Sequence, residues 1–328
     1  MNETSFHAYQ AKAPDTPAER VTLGVDDLTG GDLLVKVVYS SLNYKDGLAM
    51  TGYPGVVMTY PLTCGIDLAG EVVTAAGGFQ AGEQIVLTGA NLSQTKPGGY
   101  SQYQRVDPEF VVRAPKRLGT WGAMAVGTGG LTAMFCVMRL QKAGITPDSG
   151  PVLVTGASGG VGSYAVSILS RLGYRVEAVA GTSGKEEYLA DLGADTVYDR
   201  DELAGEVAPL GDERWAGAVD CVGGSPLAKV LSQISYAGSV AACGLAGGQD
   251  LPSSVMPFII RNVTLYGVDS VFAPAEERAE AWSRLDELFT PEEQRAVAHD
   301  EPFDKLPQLA QEILDGKIRG RVVIDVAG

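Results

Sequence analysis

Residues 151–172 read PVLVTGASGGVGSYAVSILSRL, an apolar run followed by a glycine-rich turn and then a helical pattern. A strand that ends at Thr155 would lead into the first turn of a helix, where backbone N–H groups and the helix dipole attract a pyrophosphate. The glycines of the turn matter because a Cβ there would collide with the ligand or with the strand beneath. The stretch therefore predicts a phosphate-binding strand, turn and helix, although an ordinary glycine-rich turn shares this local pattern.

A second predicted strand, at residues 175–180, follows the helix and completes a βαβ unit. Dinucleotide folds that use NAD place an Asp or Glu at the end of this strand to bind the ribose 2′-hydroxyl. Here residues 180–185 read AGTSGK, without a carboxylate. Small donors and nearby cations suit an additional phosphate, so the sequence predicts NADPH as the cofactor. The predicted contacts in this region are Gly181, Thr182, Ser183, Lys185 and Arg200. Ser183 is also suited to cap the next helix, and Lys185 to be a solvated residue of its first turn.

The composition limits the class of protein. With 328 residues, 45% of them apolar, and 42 glycines, the chain is long enough for two domains. A net charge of −15 would repel a nucleic-acid backbone. The N-terminus lacks the pattern of a signal peptide and the sequence lacks an uninterrupted apolar run of about 20 residues, so we expect a cytoplasmic protein that does not bind membranes. The four cysteines are far apart in sequence, which predicts reduced thiols packed as small apolar side chains.

Two regions differ in their periodicity. Between residues 32 and 125, short β-branched segments alternate with Gly and Pro turns, which predicts an antiparallel β region. Residues 123–140 are apolar at helical spacing, and strands then alternate with helices, which predicts a doubly wound sheet. Its six predicted strands are 152–155, 175–180, 196–198, 218–222, 239–243 and 263–266. Two helices, at 274–289 and 306–314, precede a terminal strand at 321–326, which we expect to return to the first region. The predicted domains are residues 1–122 with 268–328, and residues 123–267.

Five stretches occur in an order that resembles a known family. They read SSLNYKD (40–46), GIDLAG (65–70), GTGGLTAM (127–134), VTGASGGVG (154–162) and ACGLAGG (242–248). In these the chain resembles the medium-chain dehydrogenase/reductase superfamily and, within its quinone-oxidoreductase-like branch, the NADPH-dependent acrylyl-CoA reductases. The resemblance implies an α/β fold, with a GroES-like β-rich catalytic domain and a doubly wound (Rossmann) parallel-sheet cofactor domain.

The same resemblance raises the question of zinc. Alcohol dehydrogenases of this superfamily bind a catalytic zinc through Cys and His, but the corresponding stretches here read NYKD (43–46) and GID (65–67). The chain has two histidines, His7 and His299, both in segments expected at the surface. The sequence therefore predicts no metal. The glycine pattern also fits short-chain dehydrogenases, but these carry it near the N-terminus and have a later Tyr-x-x-x-Lys, which is absent after Gly162.

The family implies hydride addition to an activated double bond. The implied reaction reduces the 2,3 double bond of acrylyl-CoA to give propionyl-CoA, with hydride added to the β-carbon and a proton to the α-carbon. Asn43 and Tyr44 are the implied catalytic candidates, and Tyr53 is a further one because it follows this segment closely. Tyr44 is equally well explained as a packed aromatic residue, and Tyr53 with Pro54 as a turn. Asp67 is expected to fix a turn or to pair with a cation.

The other predicted cofactor contacts follow strand ends or the family's motifs, with the nicotinamide expected in a cleft between the domains. They are Tyr44, Thr128, Gly159, Gly160, Val161, Gly162, Cys221, Val222, Leu245, Val268, Ser270 and Lys317. Arg319 is a further candidate for a phosphate contact, whereas Arg321 is expected to be a charged residue of a turn.

Two other functions stay open from the sequence. The branch includes reductases of quinones or free enones, and it includes lens crystallins, in which NADPH is held without a catalytic role. The predicted partner is an acyl-CoA thioester substrate. Apolar residues at 255–260 and 263–266 also suggest a homodimer formed along one edge of the Rossmann sheet, although an edge covered by a helix is an alternative.

Overall fold

The computed structural model describes residues 5–181 and 185–327. The chain forms two compact units. The first unit runs to Thr128 and includes the segment from Val271 onward, and the second unit is Gly129–Ser270. The predicted boundaries are 122/123 and 267/268, and the assignment of a role to each unit stays a proposal.

The first unit consists mainly of β-strands. Its elements before residue 129 are β1 (Ser5–Ala11), β2 (Glu19–Gly24), β3 (Leu33–Leu42), α1 (Tyr44–Met50), β4 (Leu62–Thr63), β5 (Asp67–Thr74), β6 (Gln84–Thr88), β7 (Tyr103–Val106), β8 (Val112–Arg113) and the start of α2 (Gly119–Lys142). The antiparallel pairing of β3 with β5 and of β5 with β6 confirms the predicted β region, whereas helix α1 was not predicted. Two sheets result, one in the order β2–β1–β4 and a larger one that contains β3, β5, β6 and β8.

The second unit is a six-stranded parallel sheet with helices. Its elements are β9 (Val152–Thr155), α3 (Gly160–Arg171), β10 (Val176–Ala180), α4 (Glu186–Asp191), β11 (Thr196–Asp199), β12 (Trp215–Asp220), α5 (Gly224–Gln233), β13 (Ile234–Ala242), α6 (Met256–Arg261) and β14 (Thr264–Gly267). The strand order β11–β10–β9–β12–β13–β14 is the doubly wound order of a Rossmann domain. Strand β9 is buried along its whole length, as a central parallel strand should be. The predicted fold class is confirmed.

The chain then returns to the first unit. The returning elements are α7 (Ala275–Leu288), α8 (Pro291–Gln294), β15 (Ala298–Pro302), α9 (Leu306–Leu314) and β16 (Arg321–Asp325). Strand β16 pairs antiparallel with β3, which confirms the predicted return of the last segment. Helix α9 packs beside α1, and Gly47 permits the approach, because a Cβ there would lie 2.6 Å from the side chain of Ile313.

Helix α2 is long and apolar enough to cross a membrane, but 89% of its apolar window is buried inside the protein. The helix is interrupted at Gly127, which has φ 49° and ψ −160°. A helix buried in a protein core has the same apolar pattern as a membrane span, so the apolar character of α2 is that of a core helix.

Candidate active site

The phosphate-binding turn of the second unit is built from glycines. Gly156, directly after β9, has a φ of +59°, and a Cβ on Gly162 would lie 2.3 Å from the carbonyl oxygen of Gly156. The turn therefore closes tightly only without side chains at these positions. Helix α3 begins at Gly160 after Gly159, which offers no capping side chain, so the first N–H groups of the helix point outward and can bind an anion.

Two basic side chains lie at the end of β10, beside this turn. The Arg200 guanidinium donates to the carbonyl oxygen of Gly181, and a Cβ on Gly181 would lie 2.8 Å from that guanidinium. Lys185 donates through Nζ to the hydroxyl of Ser158, at 3.0 Å, within the turn itself. Thr182 and Ser183 lie outside the described residues. The positive charges and the open helix terminus together fit a pyrophosphate with an additional phosphate.

A buried carboxylate joins the ends of two strands at this edge. Asp220 accepts from the Thr155 hydroxyl at 2.7 Å and from the backbone N–H of Gly223 at 2.7 Å. The same Thr155 oxygen accepts from the backbone N–H of Cys221 at 3.0 Å. Burial raises the pKa of Asp220, and the donors around the carboxylate oppose that shift. Sequence reasoning missed this residue, although an Asp that ends an apolar strand next to a glycine pair is a visible signal.

The turns after β12 and β13 fit closely together. Gly247 donates to the carbonyl oxygen of Val222 at 2.7 Å, and a Cβ on Gly244 would lie 2.1 Å from the carbonyl oxygen of Cys221. Strand β12 ends at Asp220, so the prediction that residues 218–222 form the strand was wrong at its end, because Cys221 and Val222 belong to the turn. Leu245 is 69% exposed in the neighbouring turn.

The predicted contacts of the second unit therefore share one edge of the sheet. Gly159, Gly160 and Val161 follow β9, Val268 and Ser270 follow β14, and all five are partly exposed. Parallel strands bring their carboxyl ends to the same edge, which is where ligands bind in open α/β sheets. Their contacts with a cofactor stay a prediction.

In the first unit, a buried ionic network surrounds Asp67 at the start of β5. Its carboxylate accepts from the Ser41 hydroxyl at 2.5 Å and lies 3.8 Å from Nη2 of Arg321. Arg321 is only 2% exposed and donates to the carbonyl oxygen of Leu42 at 3.1 Å. The expectation that Asp67 pairs with a cation is confirmed. The expectation that Arg321 is a charged turn residue was wrong, because strand β16 carries this side chain into the interior.

The network fixes two of the predicted site residues. Asn43 donates through Nδ2 to Asp67 at 2.8 Å and accepts through Oδ1 from Arg321 at 2.8 Å. Thr128 donates its hydroxyl to Asp67 at 2.6 Å and its backbone N–H at 2.9 Å. Gly127 precedes it with a φ of +49°, and a Cβ there would lie 2.3 Å from Nη2 of Arg321. The amide of Asn43 is therefore occupied by the protein itself, and its catalytic role stays a prediction.

The first unit has a second buried carboxylate, that of Asp46, near Asp67. Asp46 accepts from the backbone N–H of Ile66 and from that of Asn43, both at 2.9 Å. Burial and the nearby Asp67 carboxylate raise the pKa of Asp46 to about 7, although these donors oppose the shift. Proton uptake at this helix terminus therefore takes place close to neutral pH.

The remaining predicted site residues are on the surface of the first unit. Tyr44 is 49% exposed at the start of α1, and Tyr53 is 58% exposed after its end. Among the described residues, neither phenol hydroxyl has a hydrogen-bond partner. Lys317 pairs with Asp315 at 2.8 Å.

Comparison with known proteins identifies the family. Residues 29–116 match the alcohol dehydrogenase GroES-like domain, and residues 160–287 match the zinc-binding dehydrogenase family. The chain is 47% identical to the probable acrylyl-CoA reductase AcuI of Escherichia coli over 95% of this chain and 96% of that protein. The chain belongs to the medium-chain dehydrogenase/reductase superfamily. The predicted resemblance is confirmed.

Solved structures of this superfamily agree with the fold. The yhdH oxidoreductase of Salmonella enterica, in complex with NADP, has a TM-score of 0.94 at 44% identity and covers 98% of this chain and 99% of its own. The yhfP protein of Bacillus subtilis, solved with NAD bound, has a TM-score of 0.94 at 40% identity over 98% and 99% of the two chains. The sequence of that second relative is described as a putative quinone oxidoreductase and is 41% identical over 98% of this chain and 99% of its own length.

The name of one matched family implies zinc, but the side chains present in this chain do not suit zinc binding. Asn43 and Asp67, in the stretches where zinc-dependent relatives carry ligands, are bound to Arg321 and to neighbouring side chains. Within residues 5–181 and 185–327, no group of three or more His, Cys, Asp or Glu side chains is placed to hold a metal ion. We therefore derive no step through a metal.

Proposed function

We propose that this protein is an NADPH-dependent reductase of short 2-enoyl-CoA thioesters, with acrylyl-CoA as its substrate and propionyl-CoA as its product. The observation that carries the proposal is identity of 46–47% to acrylyl-CoA reductases across 95% of the chain. The open helix terminus and the two basic side chains at the end of β10 support NADPH as the cofactor. NADPH, when bound, supplies the hydride that reaches the β-carbon.

The chain's own groups have three tasks in this proposal. The N–H groups of the first turn of α3 bind the pyrophosphate, and Arg200 with Lys185 binds the additional phosphate. The network of Asp67 and Arg321 holds Thr128 and Asn43 in fixed positions, so that the site needs little rearrangement on binding. The exposed Tyr44 hydroxyl donates to the thioester carbonyl oxygen, where negative charge develops, and the α-carbon takes its proton from that hydroxyl or from water.

Steady-state kinetics test the proposed reaction. NADPH oxidation is followed with acrylyl-CoA, with crotonyl-CoA and with a benzoquinone, and each is repeated with NADH. The proposal expects the highest kcat/KM with acrylyl-CoA and NADPH.

Tyr44→Phe should lower kcat for acrylyl-CoA by about 100-fold, the cost of removing one donor to a developing oxyanion. Tyr236→Phe is the matched control, because Tyr236 is also exposed, at 69%. Equal loss in both variants would contradict the role of Tyr44.

Quinone or enone reduction is the second candidate, since a relative with 41% identity is described as a putative quinone oxidoreductase. A higher kcat/KM with the quinone than with either thioester would favour it. Tight NADPH binding with no oxidation by any acceptor would instead favour a protein that holds NADPH without catalysis.

The proposal includes a homodimer in the cytoplasm. Strand β14 is at the edge of the parallel sheet, and the neighbouring α6 segment exposes Val255, Ile259 and Ile260 at 65%, 75% and 56%. An open strand edge beside an apolar patch suits pairing with a second copy. Sedimentation velocity should find a dimer for the natural chain and a monomer for Ile259→Asp, whereas Leu251→Asp, 41% exposed, should stay dimeric. A monomeric natural chain would contradict this part.

A further inference from the structure

Three of the four cysteines lie together in the second unit. Cys221 directly follows β12, Cys243 directly follows β13, and Cys136 belongs to α2. The sulfur atoms of Cys221 and Cys243 are 4.0 Å apart. As whole residues, Cys221 and Cys243 are partly exposed, whereas Cys136 and Cys64 are buried. The spacing of the cysteines along the chain does not indicate this cluster, because it depends on two strands that are neighbours only in the folded sheet.

The register of these strands sets the two cysteines side by side. Asp220 pairs with Ala242, and the backbone N–H of Cys243 donates to the carbonyl oxygen of Asp220 at 2.9 Å. Cys221 and Cys243 are therefore the next positions on adjacent parallel strands. Neighbouring strands lie about 4.8 Å apart, and disulfides join Cα atoms about 4.4–6.8 Å apart. A bond between the two sulfurs thus needs side-chain rotation and a small adjustment of the turns.

The cluster also favours one of its members as a nucleophile. Contacts with the thiols of Cys136 and Cys221 lower the pKa of Cys243, whereas the hydrogen bond that its own thiol donates to the carbonyl oxygen of Asp220, at 3.4 Å, favours the protonated form. The contact with the Cys243 thiol, together with burial, raises the pKa of Cys221. A thiolate is the form of cysteine that attacks an electrophile, and a neighbouring thiol is what resolves the product as a disulfide.

We propose that Cys221 and Cys243 are a redox modification site that a peroxide converts reversibly to a disulfide. Cys243 gives up its proton and its sulfur attacks one oxygen of hydrogen peroxide, so that an S–O bond forms, the O–O bond breaks and the leaving hydroxide takes that proton as water. The Cys221 sulfur then attacks the Cys243 sulfur, so that the S–S bond forms, the S–O bond breaks, and the leaving hydroxide takes the Cys221 proton as water. Two thiols lose two electrons in total, and one peroxide becomes two waters. A dithiol such as dithiothreitol reverses the change.

The bond would alter the edge of the sheet where the cofactor is proposed to bind. A Cβ on Gly156 would lie 3.4 Å from Cβ of Cys221 and 3.3 Å from the side chain of Val222, so the turn after β12 touches the phosphate-binding turn. Drawing the two sulfurs together moves the turns that carry them. This consequence rests on the proposed function: oxidation should lower NADPH-dependent turnover, and dithiothreitol should restore it.

Thiol counting tests the site without reference to catalysis. The full chain, reduced and then freed of reductant, is treated with hydrogen peroxide in the folded state, quenched, unfolded and titrated for free thiols. We expect the count to fall from four to two, a cross-linked peptide pair that contains Cys221 and Cys243, and a return to four after dithiothreitol. The variants Cys221→Ser and Cys243→Ser should yield no intramolecular disulfide. Cys221→Ser should leave a sulfenic acid on Cys243 that dimedone traps.

Two controls make the outcome specific. Cys64→Ala, in the first unit, and Cys136→Ala should each still lose two thiols to the same disulfide. An unchanged thiol count, a disulfide between Cys136 and Cys243, or disulfides only between chains would each overturn the proposal. A protein that forms the disulfide but shows full turnover in the oxidised state would leave the site in place and refute its link to the cofactor edge. A protein without any reductase activity would refute the proposed function and leave the thiol count to decide the site.

Discussion

Arg321 and Asp67 lie on opposite sides of strand β3, and the guanidinium of the first is 3.8 Å from the carboxylate of the second. Between them, the hydroxyl of Ser41 accepts from Arg321 at 2.9 Å and donates to Asp67 at 2.5 Å. The pair therefore joins the last strand of the chain to β5 through a buried ionic network. An ion pair of this kind contributes to specificity and geometry, because each charge would be costly to bury without the other.

Removing the cation should unfold the first unit more easily. Arg321→Met leaves Asp67 buried without its charge partner, which costs about 3–5 kcal/mol. Urea denaturation followed by circular dichroism measures this loss. The matched control is Arg319→Gln, an exposed arginine of the same segment, for which we expect a change within about 0.5 kcal/mol. Similar midpoints for Arg321→Met and the natural chain would show that the network adds nothing to stability.

Gly127 should not tolerate even one added methyl group. In Gly127→Ala the new Cβ would lie 2.3 Å from Nη2 of Arg321 and 2.8 Å from Oδ2 of Asp67, and the residue has a φ of +49°. Gly144→Ala is the matched control, since Gly144 has a φ of +88° but no atom within 4 Å of a new Cβ. Backbone strain alone should cost the control about 1–2 kcal/mol. Overpacking should add about 1–3 kcal/mol in Gly127→Ala. Equal losses in the two variants, measured by thermal and urea denaturation, would contradict this account.

The glycine turn and the alternation of strands with helices could be predicted from the sequence because both leave local patterns. Each is visible in the sequence: a parallel strand buried on both faces is a short apolar run, and a turn without side chains is rich in glycine. The burial of Arg321 could not be predicted in the same way, since a charged side chain becomes buried only when a partner from a distant segment meets it. Asp67 with Arg321, Cys221 with Cys243 and Asp220 with Thr155 are all pairs that only the register of the sheets brings together.

The choice between NADPH and NADH should depend on Arg200. Its guanidinium lies against Gly181 at the end of β10, where a dinucleotide fold holds the adenosine ribose. Arg200→Ala removes a charge-assisted contact to the 2′-phosphate, worth about 1.5–3 kcal/mol, and should raise the Kd of NADPH about 10- to 100-fold. Fluorescence titration measures both cofactors, and the Kd of NADH should hardly change.

Lys229→Ala is the matched control for that variant, because Lys229 is a basic residue of the same unit that donates to the carbonyl oxygen of Ala204. Equal weakening of NADPH and NADH in Arg200→Ala would indicate damage to the fold. A natural chain that binds NADH at least as tightly as NADPH would contradict the proposed cofactor.

Asp46 should make the protein less stable as the pH rises from about 4 to about 7. Burial and the neighbouring Asp67 raise the pKa of Asp46 from 3.8 to about 7 in the folded state. Between these two values the folded protein keeps a proton that the unfolded chain has released, so the folded state binds more protons and loses stability with increasing pH. The slope is at most about 1.4 kcal/mol per pH unit, and it levels off above pH 7. Urea denaturation at pH 5, 6, 7 and 8 measures it.

The variant Asp46→Asn removes the titrating group and should flatten this slope. The absolute stability of Asp46→Asn is not compared, because the amide loses an acceptor for the backbone N–H of Asn43 and this loss changes stability at every pH. Asp148→Asn, at an exposed position of the second unit, is the matched control and should keep the slope of the natural chain. A slope that persists in Asp46→Asn would assign the pH dependence to another group. A natural chain whose stability increases from pH 5 to pH 8 would show that Asp46 stays ionised, because the donors around it would then outweigh the cost of its burial.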